Sequence, residues 1–131
     1  MNKDNFSRSW VSSVSPKKQR KYRRNAPLHI KKKMLAAHLS KELRLKYKTR
    51  NFALKKGDSV LITRGKFKGQ EGKIDKIYMK QLKVSVDSAK NVTKKGNKVP
   101  FKIRPSALII TDLNLADVRR VSKIESYGKT R

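Results

Sequence analysis

The 131-residue sequence predicts a mainly β fold, a small, partly open barrel of short strands with short helices in a basic N-terminal extension and a short C-terminal helix. Three observations predict it. Between Gly57 and Ile77 the chain reads GDSVLITRGKFKGQEGKIDKI, placing four of its six glycines within sixteen residues, with Val60, Ile62, Ile74 and Ile77 as the apolar positions around them. Period-two alternation broken by closely spaced glycines is the pattern of strand, tight loop, strand. Further short apolar runs follow at Gln81–Asp87, Asn97–Ile103 and Ala107–Thr111. The third observation is charge: residues 1–50 carry 16 basic and 2 acidic side chains, residues 51–87 carry 9 and 4, and residues 88–131 carry 11 and 3. The middle third is the least charged and the best patterned, so it is the expected folded centre.

Taken in order, residues 1–24 form a basic arm. Lys17, Lys18, Arg20, Lys21, Arg23 and Arg24 pack six cations into eight residues around Tyr22. Too few apolar residues lie there to offset the entropy of ordering the chain, so the arm is expected to be disordered until it lies in a groove of a partner. The plainer readings are an import signal or a solvated charge run; direct nucleic-acid contact is favoured. Residues 25–50 read as a helical, nucleic-acid-binding extension. Pro27 suits a first helical turn with Asn25 upstream as a cap, and Ile30 and Met34 share one face while Lys31, Lys32 and Lys33 cover the other. A second short helix is expected from Ser40. Its N-cap, Glu42 in the first turn and the spacing of Leu39, Leu43 and Tyr47 support it, with Lys41, Arg44, Lys46, Lys48 and Arg50 outward. Helices this short are marginal alone and need the barrel or RNA to hold them.

Residues 51–113 are the expected barrel. Its strands are Ser59–Arg64, Gln70–Tyr78, Gln81–Asp87, Asn97–Ile103 and Ala107–Thr111, with a tight connection at Met79–Lys80. Pro100 marks the fourth as an edge strand, because proline cannot donate to a ladder. Short strands sharing a small core argue for the partly open barrel. Ala89–Lys98, which includes Lys94 and Lys95, reads as a polar loop. Residues 114–131 form a tail in which Leu115, Val118 and Val121, with Arg119, Arg120 and Lys123, suggest one amphipathic helix.

With 36 Lys and Arg against 9 Asp and Glu, the chain has a formal charge of +27 and a pI near 10.8. Such a charge opposes compaction unless a partner supplies counter-charge, and a polyphosphate does so with release of condensed counterions. No apolar run approaches the roughly 18 residues of a membrane span, and the first fourteen residues lack the continuous apolar core of a secretion signal. Zero cysteines exclude disulfides and cysteine metal sites. His29 and His38, nine residues apart without a paired carboxylate, do not make a metal site, and they read as surface or RNA-edge residues. No nucleophile, base or metal cluster marks an enzyme. In the glycine loop, Arg64, Lys66, Lys68 and Lys73 are the expected phosphate contacts. Asp58 and Glu71 read as turn-shaping or lysine-pairing groups, and Phe67 as a packing residue in preference to a base-stacking one.

Gly57–Ile77 resembles a KOW motif, the hallmark of certain SH3-like barrels in ribosomal and transcription proteins. The flanks narrow the choice. Asn25-Ala26-Pro27 with His29, Leu39-Ser40-Lys41-Glu42-Leu43-Arg44 with Lys46-Tyr47, and Ile103-Arg104-Pro105-Ser106 with Ile110-Thr111, Leu113 and Leu115 resemble the eukaryotic and archaeal form of a large-subunit ribosomal protein family. It is number twenty-four in universal naming and twenty-six in the eukaryotic series. The likeness covers roughly residues 15–120. It implies a structural role in the ribosome, binding to the 5′ domain of large-subunit ribosomal RNA, early subunit assembly and a seat near the nascent-chain tunnel exit. It also implies neighbouring large-subunit proteins as partners and a cytoplasmic ribosomal location, with nucleolar transit in a eukaryotic cell. No cofactor, membrane insertion or homo-oligomer is expected. The family places the arm cations and those of residues 31–50 on RNA. Two departures accompany the resemblance: eukaryotic members usually continue into a longer lysine-rich tail past the position of Arg131, and Met1–Val14, with Trp10, has no match. Three rivals carry less weight. A transcription-elongation KOW module normally belongs to a longer chain, a histone-like DNA compactor does not need the Gly57–Ile77 pattern, and an enzyme needs a constellation that is not there.

Overall fold

The computed structural model describes Phe6 and residues 12–129; Trp10 and the other residues of 1–11 lie outside them. Seven strands form one open sheet in the order β2-β1-β7-β3-β4-β5-β6. They are β1 (Ala36–Leu39), β2 (Asn51–Ala53), β3 (Ser59–Ile62), β4 (Glu71–Tyr78), β5 (Lys83–Val92), β6 (Lys98–Ile103) and β7 (Leu108–Asp112). The helices are α1 (Pro16–Asn25), α2 (Leu28–Met34), α3 (Lys41–Tyr47) and α4 (Val118–Lys129).

The five expected strands are β3 to β7, and β6, with Pro100, lies at the end of the sheet. Register shifts at Ser59/Val60, Ile74/Lys76 and Ser85/Lys90 interrupt the ladders, and such bulges bend strands and increase their twist. The sheet thereby wraps a core whose largest fully buried residues are Leu39, Val60, Ile62, Ile74, Val84, Val86, Leu108, Ile110 and Ile124. The connection between β4 and β5 is a 3-10 turn, Met79–Gln81, released by Leu82 in the left-handed region at φ 53°.

Two differences from the sequence reading concern the sheet. Strands β1 and β2 add to its far end: Ala37 pairs with Phe52 in antiparallel register, and His38 pairs with Ile109 of β7 in parallel register. Neither is legible locally, since Leu35, Ala36 and Ala37 are good helix formers; pairing with β7 overrides that preference. Leu35, Ala37, Leu39, Phe52 and Leu54 are all buried in the same cluster as the barrel residues, so the extension and the barrel share one core. Half of the polar loop expected at Ala89–Lys98 is strand. Asn91 pairs with Val99 and Val92 with Lys98, leaving a turn in which the Gly96 N–H donates to the Thr93 carbonyl at 2.9 Å.

The helices form for local reasons that the sequence carries. Ser40 caps α3, its hydroxyl accepting from the Leu43 N–H at 3.3 Å, and Lys48 ends it at φ 49°. Pro27, not Asn25, occupies the position before α2. The segment Lys17–Arg24, expected to lack structure of its own, lies in α1. Pro16 starts that helix, Arg23 and Arg24 suit the negative end of its dipole, and none of its residues is buried.

The C-terminal helix is anchored by a buried ion pair. Asp58 is fully buried and Arg120 is 4% exposed. The guanidinium grips the carboxylate in a fork, Nη1 to Oδ1 at 2.5 Å and Nη2 to Oδ2 at 2.7 Å, and also donates to the Asn114 and Ala53 carbonyls at 2.8 and 3.0 Å. Asp58 accepts two backbone N–H groups as well, from Lys55 at 2.8 Å and Asn114 at 3.0 Å. Bonds to the remaining groups offset the cost of burying a charge pair: here the carboxylate has four donors, while the buried Arg120 Nε–H is left without an acceptor. One arginine on α4 thus ties together β2, the turn before β3 and the strand end after β7.

Candidate nucleic-acid interface

The glycine loop joins β3 to β4. Its backbone closes on itself: the Gly69 N–H donates to the Ile62 carbonyl at 2.7 Å, the Ile62 N–H to the Gln70 carbonyl at 2.9 Å, and the Lys68 N–H to the Gly65 carbonyl at 3.1 Å. The side chains of Arg64, Lys66 and Lys68 are exposed along the loop. Arg64 is braced, its Nη2 donating to the Ser106 carbonyl at 2.5 Å. Lys73 is exposed on β4, just beyond the loop. Phe67 is half-buried, packs against the core and lies 5.3 Å from the Phe101 ring, which is the packing role expected of it.

Gly72 sets the geometry at the start of β4. It pairs with Val60, and a Cβ there would collide with Asp87 Oδ1 and sit 2.6 Å from Ser88 Oγ. The Asp87 carboxylate uses that space to accept the Lys73 N–H at 2.9 Å. Asp58 shapes the turn after Leu54 as expected, but its charged partner is Arg120, not a lysine. Arg120, a cation of the expected tail helix, is thus turned inward.

Other expected contacts fall in three places. Lys17, Lys18, Arg20, Lys21, Arg23 and Arg24 are exposed on α1, and the Tyr22 ring is half-buried, 5.0 Å from that of Phe6. Lys32, Lys33 and Arg44 are exposed, and Arg44 is positioned by its Nε donating to the Leu39 carbonyl at 2.9 Å. Lys94 and Lys95 are exposed in the turn between β5 and β6, at the opposite end of the sheet from β1 and β2. Lys31 is a correction. It is 5% exposed, and its ammonium donates to the Arg24 carbonyl at 3.0 Å, joining α1 to α2. Successive helical side chains lie about 100° apart, so three lysines in a row cannot share one face, and Lys31 is the one turned toward α1.

The structure brings Arg20, Tyr22, Arg23 and Lys33 to one groove of about 1580 Å³ between α1–α2 and the β1 end of the sheet. The sequence reading missed four of its residues as a set: His29, His38, Gln81 and Arg104. They are dispersed along the chain and gathered by tertiary packing, α2 on the 3-10 turn Met79–Gln81 and β1 beside β7 and the turn before it, so no spacing could have shown it. Among the described residues no group of three His, Cys, Asp or Glu side chains could hold a metal ion. No helix among them is long and apolar enough to cross a membrane. Asp117 is exposed, and its carboxyl is held below the usual carboxylate range, chiefly by the Lys55 ammonium bonded to it and then by the Arg119 N–H at 2.9 Å. That combination fixes the start of α4 and supplies no catalytic group.

Comparison with known proteins accords with this surface. Residues 13–127 match the family model that describes the ribosomal proteins called L26 in eukaryotes and their L24 counterparts in archaea. The large ribosomal subunit protein uL24 of Methanosarcina barkeri is 43% identical over 113 residues, 86% of this chain and 97% of the relative. The protein of the same name from Methanospirillum hungatei is 44% identical over 114 residues, covering 87% of this chain and 95% of the relative. That from Methanocorpusculum labreanum is 42% identical over 115 residues, covering 88% and 95%.

Proposed function

The chain belongs to the family of eukaryotic L26 and archaeal L24 ribosomal proteins, and from that membership we propose that it clamps ribosomal RNA in the large subunit. It is a structural, non-enzymatic constituent of the ribosome. The observation that carries the RNA reading is the separation of charge from core. Arg64, Lys66 and Lys68 stand exposed on a loop held by its own Lys68, Gly69 and Gln70 backbone bonds, and the α1 cations stand on a helix with no buried residue. Exposed cations so placed can face phosphates, and each neutralised phosphate releases counterions.

In this reading the sheet is a rigid platform, the β3–β4 loop holds cations against phosphates, and α1, α2 and α3 reach between RNA helices that otherwise repel each other. Contacts of this kind position the protein and read RNA shape; they carry little base sequence. The RNA is the 5′ domain of large-subunit ribosomal RNA, bound early in assembly, and the protein's final seat is near the tunnel exit among neighbouring large-subunit proteins. In a eukaryotic cell that assembly passes through the nucleolus. The resemblance supports these finer points, and the relatives' names support the large subunit.

In-cell crosslinking of the tagged protein, with sequencing of the attached RNA, tests the proposal. Crosslinks concentrated in the 5′ part of large-subunit ribosomal RNA are expected. Crosslinks spread over nascent messenger RNA would overturn it in favour of a transcription-elongation role.

A further inference from the structure

We propose that the groove between α1–α2 and the β1 end of the sheet is a seat for unpaired RNA, distinct in kind from the phosphate-binding edge of the β3–β4 loop. The inference rests on the RNA-binding role proposed above and adds which form of RNA each surface takes.

The groove is larger than the roughly 300–1,000 Å³ of ordinary small-molecule pockets, so it fits a length of polymer better than a single small ligand. Its charge is one-sided. Among the described residues Arg20, Arg23, Lys33 and Arg104 line it, and no aspartate or glutamate does. The occupant is therefore an anion, as at the β3–β4 loop. The rest of the wall is different in chemistry. Tyr22, His29 and His38 contribute flat rings, and Val14, Ile30, Met34 and Leu82 contribute apolar surface. Gln19, Gln81 and Asn51 add amides, each both donor and acceptor.

A duplex gains little from such a wall. Its bases are stacked inside, its deep groove is closed to side chains, and it presents mainly phosphates and 2′-hydroxyls. An unpaired strand presents the same phosphates together with base faces for the rings and apolar patches and base edges for the amides. The β3–β4 loop offers cations but one ring only, Phe67, which is half-buried against the core. The two surfaces meet at Ser106, which lines the groove and accepts from Arg64. A single-stranded segment entering the groove at that rim can continue from a helix held by the loop.

The test uses the full chain and two fluorescently labelled RNAs of equal phosphate number at one ionic strength, a single-stranded decamer and a blunt duplex. His38→Ala/Gln81→Ala/Arg104→Ala removes three exposed groove side chains outside the α-helices, and Arg64→Ala/Lys66→Ala/Lys68→Ala removes the loop cations. The groove variant is expected to bind the single strand at least tenfold more weakly and the duplex within about twofold of the unmodified chain, whereas the loop variant loses mainly duplex binding. Equal losses on both RNAs, or an unchanged affinity for the single strand, would overturn the proposal. Photocrosslinking of the unmodified chain with a 4-thiouridine single strand gives a readout free of folding effects. Crosslinked peptides carrying Tyr22 or His38 support the groove; crosslinks confined to the β3–β4 loop overturn it. An unmodified chain that binds duplex but not single strand loses the groove alone, whereas one that binds neither loses the RNA reading itself.

Discussion

Asp58 and Arg120 show how much one pair of side chains can decide. Truncating Arg120 to alanine leaves a fully buried carboxylate with only its two backbone donors, and breaking a buried pair from one side typically costs about 3–5 kcal/mol. Urea unfolding of Arg120→Ala should show a loss of that size. A loss below about 1 kcal/mol would mean the α4 anchor contributes little and the helix is held by Ile124 and its apolar neighbours. Asp117 makes a smaller, pH-dependent contribution. Its carboxyl is lower in the folded chain than its ordinary value of 3.8, so the unfolded chain binds more protons in acid. The contribution is therefore present above that value and lost as pH falls through the lower folded one. The urea midpoint difference between the native chain and Asp117→Asn should shrink as the pH is taken from 6 toward 2; a constant difference would count against it.

Among the elements, the β3–β4 loop and α1 make separable predictions. Replacing Arg64, Lys66 and Lys68 with alanine should flatten the salt dependence of RNA binding by roughly 0.7–0.9 in log–log slope for each phosphate no longer neutralised. An unchanged slope would remove the loop from the interface. Helix α1 buries none of its residues, yet its end matters to the fold, because the Tyr22 and Arg24 carbonyls receive the Ala26 N–H at 2.9 Å and the Lys31 ammonium at 3.0 Å. A chain lacking residues 1–21 keeps both acceptors. Its unfolding free energy should stay within about 0.5 kcal/mol of the full chain's, as for other exposed changes, while its RNA affinity falls. A larger stability loss would mean the arm packs as part of the core.

For the protein as a whole, +27 on 131 residues sets the energetics of the free state. Its described ion pairs are the buried Asp58–Arg120 and the exposed Lys55–Asp117, too few to offset the repulsion among the remaining cations. Screening should therefore stabilise it. The thermal midpoint is expected to rise as salt increases from about 0.01 M to 1 M, over which the screening length falls from roughly 30 to 3 Å. A falling midpoint would show that favourable pairs outweigh repulsion. The same repulsion is what RNA relieves, so binding and folding stability are linked through charge.

Short-range chemistry was enough to specify the five strands β3 to β7, the edge position of β6, the cap at Ser40 and the exposed cations of the β3–β4 loop. Side-chain period, proline's missing N–H, a hydroxyl beside a helix N-terminus and glycines in a tight turn are all legible in the order of residues. The remaining features came from contacts between distant segments. Strands β1 and β2 exist because β7 offers a free edge, Lys31 is buried because α1 ends above it, and Arg120 faces inward because Asp58, sixty-two residues earlier, needs a counter-charge. The groove belongs to that second group. Its cations, rings and amides come from α1, α2, β1, β2, the 3-10 turn and the stretch before β7, and nothing in their spacing along the chain shows that they meet. A local pattern reports what a residue prefers; only packing reports which distant partner makes that preference worth keeping or overrides it.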